Sequence, residues 1–130
     1  MPQKKWITLI IIFLLSWIIL AVYLSITAQN RIKLATTYHA QFAQYYQRGE
    51  FKKALSLAEK AFKIRNKRLG EKHPDTLNSL NNLALIYREI GRLEEALPLF
   101  EKGYRLVEEV LGEKHPDTLT SLNNLALIYH

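Results

Sequence analysis

The distribution of hydrophobic positions changes character near Ala28. From Trp6 to Ala28 the chain reads WITLIIIFLLSWIILAVYLSITA, 23 residues with no charge, no Pro and no Gly. The run is apolar on every side, so it is not an amphipathic helix. As a helix it is about 34 Å long, enough to cross a hydrocarbon core of about 30 Å. In lipid the backbone must satisfy its own hydrogen bonds, which a helix does. Trp6 and Tyr23 lie near the two ends, where amphipathic rings favour the interface. The sequence therefore predicts a transmembrane helix over residues 6–28, preceded by a basic flank over 1–5. A cleaved signal peptide is the competing reading: Lys4 and Lys5 form its basic start and Ile26-Thr27-Ala28 a weak cleavage site. Its apolar stretch is expected to span only about 7–15 residues. The flanking charges, Lys4 and Lys5 against Arg31 and Lys33, give the repeats that follow a slight bias to the exported side; the basic stretch further on opposes it.

Beyond Asn30 the hydrophobic positions become periodic, and the period itself repeats. Leu69–Arg88 (LGEKHPDTLNSLNNLALIYR) and Leu111–His130 (LGEKHPDTLTSLNNLALIYH) match at 18 of 20 positions with an offset of 42. A fainter copy precedes them: Tyr45, Gly49, Ala54, Leu55 and Leu57 correspond to Tyr87, Gly91, Ala96, Leu97 and Leu99. Each period predicts two helices. Pro74 suits a first helical turn, and Asp75 favours the positive helix end. Leu77, Leu80, Leu83, Ala84 and Tyr87 then recur at the spacing of one buried helical face. Gly91 ends that helix. A second helix is predicted from about Leu93 to Leu111, with Ala96, Leu97, Phe100, Tyr104 and Val107 on one side and Gly112 after it. Phe51 to Leu69 is the equivalent helix one period earlier. No breaker lies between Ala28 and Gly49, so one continuous helix is expected from about Trp6 through Gln47.

These positions resemble the tetratricopeptide repeat, whose pattern falls on Leu80, Leu83, Ala84, Tyr87, Ala96 and Phe100. The longer period, with the phrases LGEKHPDT and SLNNLALIY, is similar to the repeat of kinesin light chain and its bacterial relatives. Gln41, Phe42 and Ala58 depart from the pattern in the first repeat, and Glu108 stands where a proline is usual. A HEAT-type array shares the period but not these residues. The resemblance implies an all-α fold: the N-terminal helix, then a right-handed α-solenoid over 29–130, with repeats at about 28–69, 70–111 and an incomplete 112–130. About three repeats are needed for a stable stack, and terminal repeats normally carry a polar cap. Leu122, Leu125, Leu127 and Ile128 are left with one side unfilled. The sequence thus reads as the front end of a longer protein, or as a chain that self-associates through this end. Relatives of this repeat type often precede an effector such as a caspase-like protease domain. A sensor or regulatory fragment of a larger enzyme is therefore the alternative to an interaction scaffold.

Charge adds an asymmetry. Residues 29–73 hold 11 Lys/Arg against 3 Asp/Glu, and residues 74–130 hold 5 against 9. The basic helix carries Lys52, Lys53, Lys60, Lys63, Arg65, Lys67 and Arg68 around Phe51, Leu55, Phe62 and Leu69, a pattern that suits contact with anionic lipid. Interleaved aromatics and nucleic-acid motifs are missing, which disfavours nucleic acid.

Nothing in the chain reads as catalytic machinery or as a cofactor site. The absence of cysteine excludes disulfides and thiolate chemistry. His73 and His115 are one residue in two repeats, each beside a helix-starting Pro, and lack further ligands at short spacing. Ser56, Ser79 and Ser121 have no nucleophile-elbow context. The chain is expected to act as a protein-interaction scaffold. The resemblance places Asn82 and Asn124 on the concave face of the first helices, where related arrays bond the backbone of an extended peptide. An amide suits that task because it donates and accepts at once. His39, Tyr46, Gln47, Asn78, Asn81, Arg88, Glu89 and Asn123 are expected along the same groove.

Overall fold

The computed structural model describes residues 2–130, and among them every regular element is helical. In chain order these are α1 (Pro2–Gln47), α2 (Phe51–Leu69), α3 (Pro74–Glu89), α4 (Leu93–Leu111) and α5 (Pro116–Ala126). The chain divides into two compact units, Met1–Arg31 and Ile32–His130.

The first unit is helical throughout its described length, and its apolar side chains are exposed, from Trp6 to Ile26. Three of its hydroxyls turn back on their own helix. Thr8 Oγ1 donates to Lys4 O, Ser16 Oγ to Ile12 O and Thr27 Oγ1 to Leu24 O, each at 2.8 Å. Phe13 and Trp17 meet edge to face with centroids 6.1 Å apart.

The second unit is a series of packed helices, α2 against α3, α3 against α4 and α4 against α5. The expected ends at Gln47, Phe51, Leu69, Pro74, Leu93 and Leu111 are observed. Pro at the first turn and Gly after the last explain most of them. Gly70 and Gly112 take φ 88°, ψ 161° and φ 87°, ψ 161°, a region open essentially only to glycine. The histidines that follow are N-caps: His73 Nδ1 accepts from the Asp75 N–H and His115 Nδ1 from the Asp117 N–H, both at 3.1 Å. Each fills one of the unpaired donors that open a helix.

Two hydrophobic clusters hold the unit together. The first joins Phe42 of α1, Ala54 and Ala58 of α2, and Leu83 and Ile86 of α3. The second joins Ala84 of α3 with Ala96 and Phe100 of α4, and Leu125 and Ile128 pack on it. Shifted by one period of 42 residues, Phe42 becomes Ala84 and Ala58 becomes Phe100. Two of the departures from the repeat pattern, Phe42 and Ala58, are thus one exchange, a ring moved from the second helix to the first with its volume conserved.

At the last helix Leu125 and Ile128 pack on the second cluster while staying only partly buried, and Leu122 and Leu127 are exposed. The last helix stops at Ala126, where the bonds tighten to three-residue spacing: Ile128 N–H donates to Leu125 O and Tyr129 N–H to Ala126 O, both at 3.2 Å.

Candidate functional site

The first helices of successive repeats carry a polar ladder. Asn82 Nδ2 lies 3.2 Å from His39 Nδ1, and Asn124 Nδ2 donates to Asn81 Oδ1 at 3.2 Å. His39 and Asn81 are equivalent positions, as are Asn82 and Asn124, so the two contacts are one contact repeated. Arg65 Nη1 also approaches His39 Nδ1, at 3.5 Å. The Asn82 Nδ2 amine can only donate, so in this rung Nδ1 is the acceptor and the neutral imidazole carries its proton on Nε2. Burial, and then the Arg65 guanidinium, hold His39 below the ordinary imidazole value; Asp75 opposes them.

Arg65 does not belong to the basic face. It is 6 % exposed, and Nη1 donates to Ser79 Oγ at 2.8 Å and to Asp75 O at 3.3 Å. Its guanidinium fills the space between α1, α2 and α3 on the ladder side. The remaining basic residues, Lys52, Lys53, Lys60, Lys63, Lys67 and Arg68, are exposed. Lys53 pairs with Glu50 at 2.7 Å, and Lys60 lies over the Tyr38 ring at 5.6 Å. Phe51, Leu55 and Phe62 do not form a surface stripe among these cations, because they pack on the first core cluster.

One period on, the space equivalent to that filled by Arg65 is an open cleft of about 190 Å³. Leu77, Asn78 and Asn81 of α3, Val107 and Val110 of α4, and Asp117, Ser121 and Asn124 of α5 line it. Val107 stands where Arg65 stands in the preceding period. Asn78, Asn81 and Asn124 are thus brought together with residues not expected along the groove: Asp117, Ser121 and Val107. The signal for them was the 42-residue offset itself, applied to Arg65 and Ser79.

The other candidates are more dispersed. Arg88 and Glu89 form an ion pair at 3.0 Å. Burial and then the Glu89 carboxylate raise the Tyr46 phenol above its ordinary value, against Arg88. Tyr46 also packs on Phe42 and Phe51, with centroids 5.6 and 5.7 Å away. Gln47 and Asn123 are exposed. No cluster of three or more His, Asp or Glu side chains able to hold a metal occurs among the described residues.

The family model of the tetratricopeptide repeat matches residues 33–109 and 91–130. No curated protein matches the chain. Among solved structures it is similar to a kinesin light chain of Podosopora anserina with nearly identical TPR-like repeats, at 31 % identity and TM-score 0.68 over 76 % of this chain and 46 % of that one. A single-residue variant of that protein gives the same values. BtubC (BKLC) of P. vanneervenii is similar in fold, at 24 % identity and TM-score 0.68 over 73 % of this chain and 37 % of that one. The chain therefore spans less than half the length of these solved chains. Its repeats, helix pairs and matched residues make it a member of the tetratricopeptide repeat family.

Proposed function

We propose that this chain is a membrane-anchored scaffold for protein–protein interaction, with residues 6–28 as the anchor and 29–130 as the repeat array. An extended peptide segment of a partner is its ligand. The observation that carries this reading is the Asn81–Asn124 rung beside an open cleft. These amides have donor and acceptor capacity left over, and a peptide backbone offers both kinds of group. Asn78 lines the same cleft, and Arg88, Glu89 and Asn123 would extend the polar surface beyond it along the first helices. The exposed lysines of α2 would add attraction to an anionic membrane surface, each contributing about 1 kcal/mol.

A photo-crosslinking amino acid placed at Asn78 or Asn123, and at Lys63 as a control, tests the assignment in native membranes. The groove positions should capture a partner segment that the control does not. Equal capture at all three positions, or none at the groove positions, would refute it.

A further inference from the structure

The array contains one position twice, once filled and once open. Between α1, α2 and α3 the Arg65 side chain enters from α2, and its guanidinium donates to Ser79 Oγ at 2.8 Å and Asp75 O at 3.3 Å and approaches His39 at 3.5 Å. Between α3, α4 and α5 the equivalent residue is Val107. The equivalents of Ser79, Asp75, His39 and Asn82 are Ser121, Asp117, Asn81 and Asn124, and all four line the open cleft of about 190 Å³. The acceptor positions at Ser121, Asp117 and Asn81 survive, while the donor that uses their counterparts is gone.

We infer that the cleft between α3, α4 and α5 receives an arginine side chain from the partner segment, in the role that Arg65 plays within the chain one period earlier. This deepens the peptide-groove reading and rests on it. Asn81 is a better acceptor than His39, since Oδ1 keeps a second lone pair after accepting from Asn124. The apolar wall at Val107 and Leu77 suits the methylene stem, which long cationic side chains bury along apolar surface. Charge agrees: residues 74–130 hold 9 acidic against 5 basic side chains, so the surroundings favour a cation. Arg65 also shows that such a set accepts a guanidinium at 6 % exposure. A planar fork with five donors matches several acceptors around one cleft, which a lysine ammonium matches less well.

The full chain in detergent micelles, isotope-labelled, is titrated with blocked pentapeptides Gly-Ala-Arg-Ala-Gly, its citrulline analogue and its Glu analogue. The Arg peptide should shift the side-chain amides of Asn81 and Asn124 and bind about tenfold or more tighter than the isosteric citrulline peptide, the scale of a hydrogen bond to a charged group. Val107→Arg, which rebuilds the Arg65 arrangement in place, should abolish those shifts. Should that variant not fold by circular dichroism, Ser121→Ala removes one acceptor and should weaken the Arg peptide selectively. Equal shifts from the Arg and citrulline peptides, no shift from the Arg peptide, or Arg-peptide shifts that persist in a folded Val107→Arg chain would overturn the assignment. A crosslinked partner segment that occupies the groove with no arginine at the cleft would overturn it too, while leaving the groove reading in place.

Discussion

Asn124 donates its side-chain amide to Asn81 Oδ1 at 3.2 Å, across 43 residues of sequence, and Asn82 repeats the relation to His39 at the same distance. Both partners of the Asn81–Asn124 rung are half-buried, so the bond is shielded from water without being sealed from it. A double-mutant cycle with Asn81→Ala and Asn124→Ala, read by urea unfolding, should give a coupling of about 0.5–1.5 kcal/mol. Additive effects would mean that the rung contributes nothing to docking α5 on α3.

The exchange between Phe42 and Ala58 makes a second prediction. Phe42 is 6 % and Ala58 2 % exposed, in one cluster. Phe42→Ala should destabilise by about 3–5 kcal/mol through the cavity it leaves. Ala58→Phe alone should cost about 1–3 kcal/mol from overpacking. The double variant restores the arrangement of Ala84 and Phe100 and should recover most of the loss. Chemical denaturation of the three variants measures it, and a double variant no better than Phe42→Ala would show that the ring cannot be moved across this interface.

Much of this architecture was legible from punctuation. Pro74, Gly70, Gly91 and Gly112 mark helix ends through backbone restriction, which is local and survives any tertiary context. Burial was less legible, for a reason that lies in stacking. A helix inside an array has neighbours on both sides, whereas a periodic reading finds one apolar stripe. Ile86 falls outside the stripe of Leu80, Leu83, Ala84 and Tyr87, yet it is fully buried, and Thr76 and Ser79 are each 1 % exposed. Arg65 was hidden by its charge. A cation among Lys63, Lys67 and Arg68 reads as surface, and only comparison with Val107 one period on points inward. The ladder was half legible: the asparagines stood out, but their pairing across repeats depends on how the helices stack.

Two glycines should respond to alanine with opposite signs. Gly70 sits at φ 88°, ψ 161°, and no heavy atom lies within 4 Å of the place an alanine methyl would take. The cost of Gly70→Ala is therefore backbone strain alone, about 1–3 kcal/mol. Gly103 lies inside α4, where an added Cβ would meet Leu80 Cδ2 at an ordinary 3.8 Å. Gly103→Ala should stabilise by about 0.5–1 kcal/mol, because alanine loses less freedom in a helix. Thermal unfolding of both variants gives the two signs.

His39 makes stability depend on pH. Burial and the Arg65 guanidinium lower its folded value, with Asp75 opposing. At a pH above the ordinary imidazole value both folded and unfolded chains hold it neutral, and its contribution is complete. As the pH falls below that value the unfolded chain takes up a proton that the folded chain resists, so stability declines until the folded imidazole also titrates. Unfolding midpoints in urea should therefore drop between about pH 7 and pH 5. His39→Asn, which installs the residue found at Asn81, should remove that part of the decline. An unchanged profile in this variant would place the sensitivity elsewhere.

The apolar helix yields the final prediction. A cleaved signal peptide leaves a chain that begins near Gln29; an anchor leaves the whole sequence in the membrane. The anchor is favoured by 23 consecutive residues without a charge, long enough to span about 30 Å. The hydroxyls of Thr8, Ser16 and Thr27 also suit a lipid surrounding, since each is bonded within its own helix. The protein should therefore pellet with membranes, resist carbonate extraction and keep residues 6–28 in its N-terminal peptides. Leu14→Arg with Ile18→Arg should release it, since each arginine at the bilayer centre costs about 2.5–3.5 kcal/mol. A soluble chain starting near Gln29 would decide for the signal peptide, and the repeats would then reach their partners without a tether.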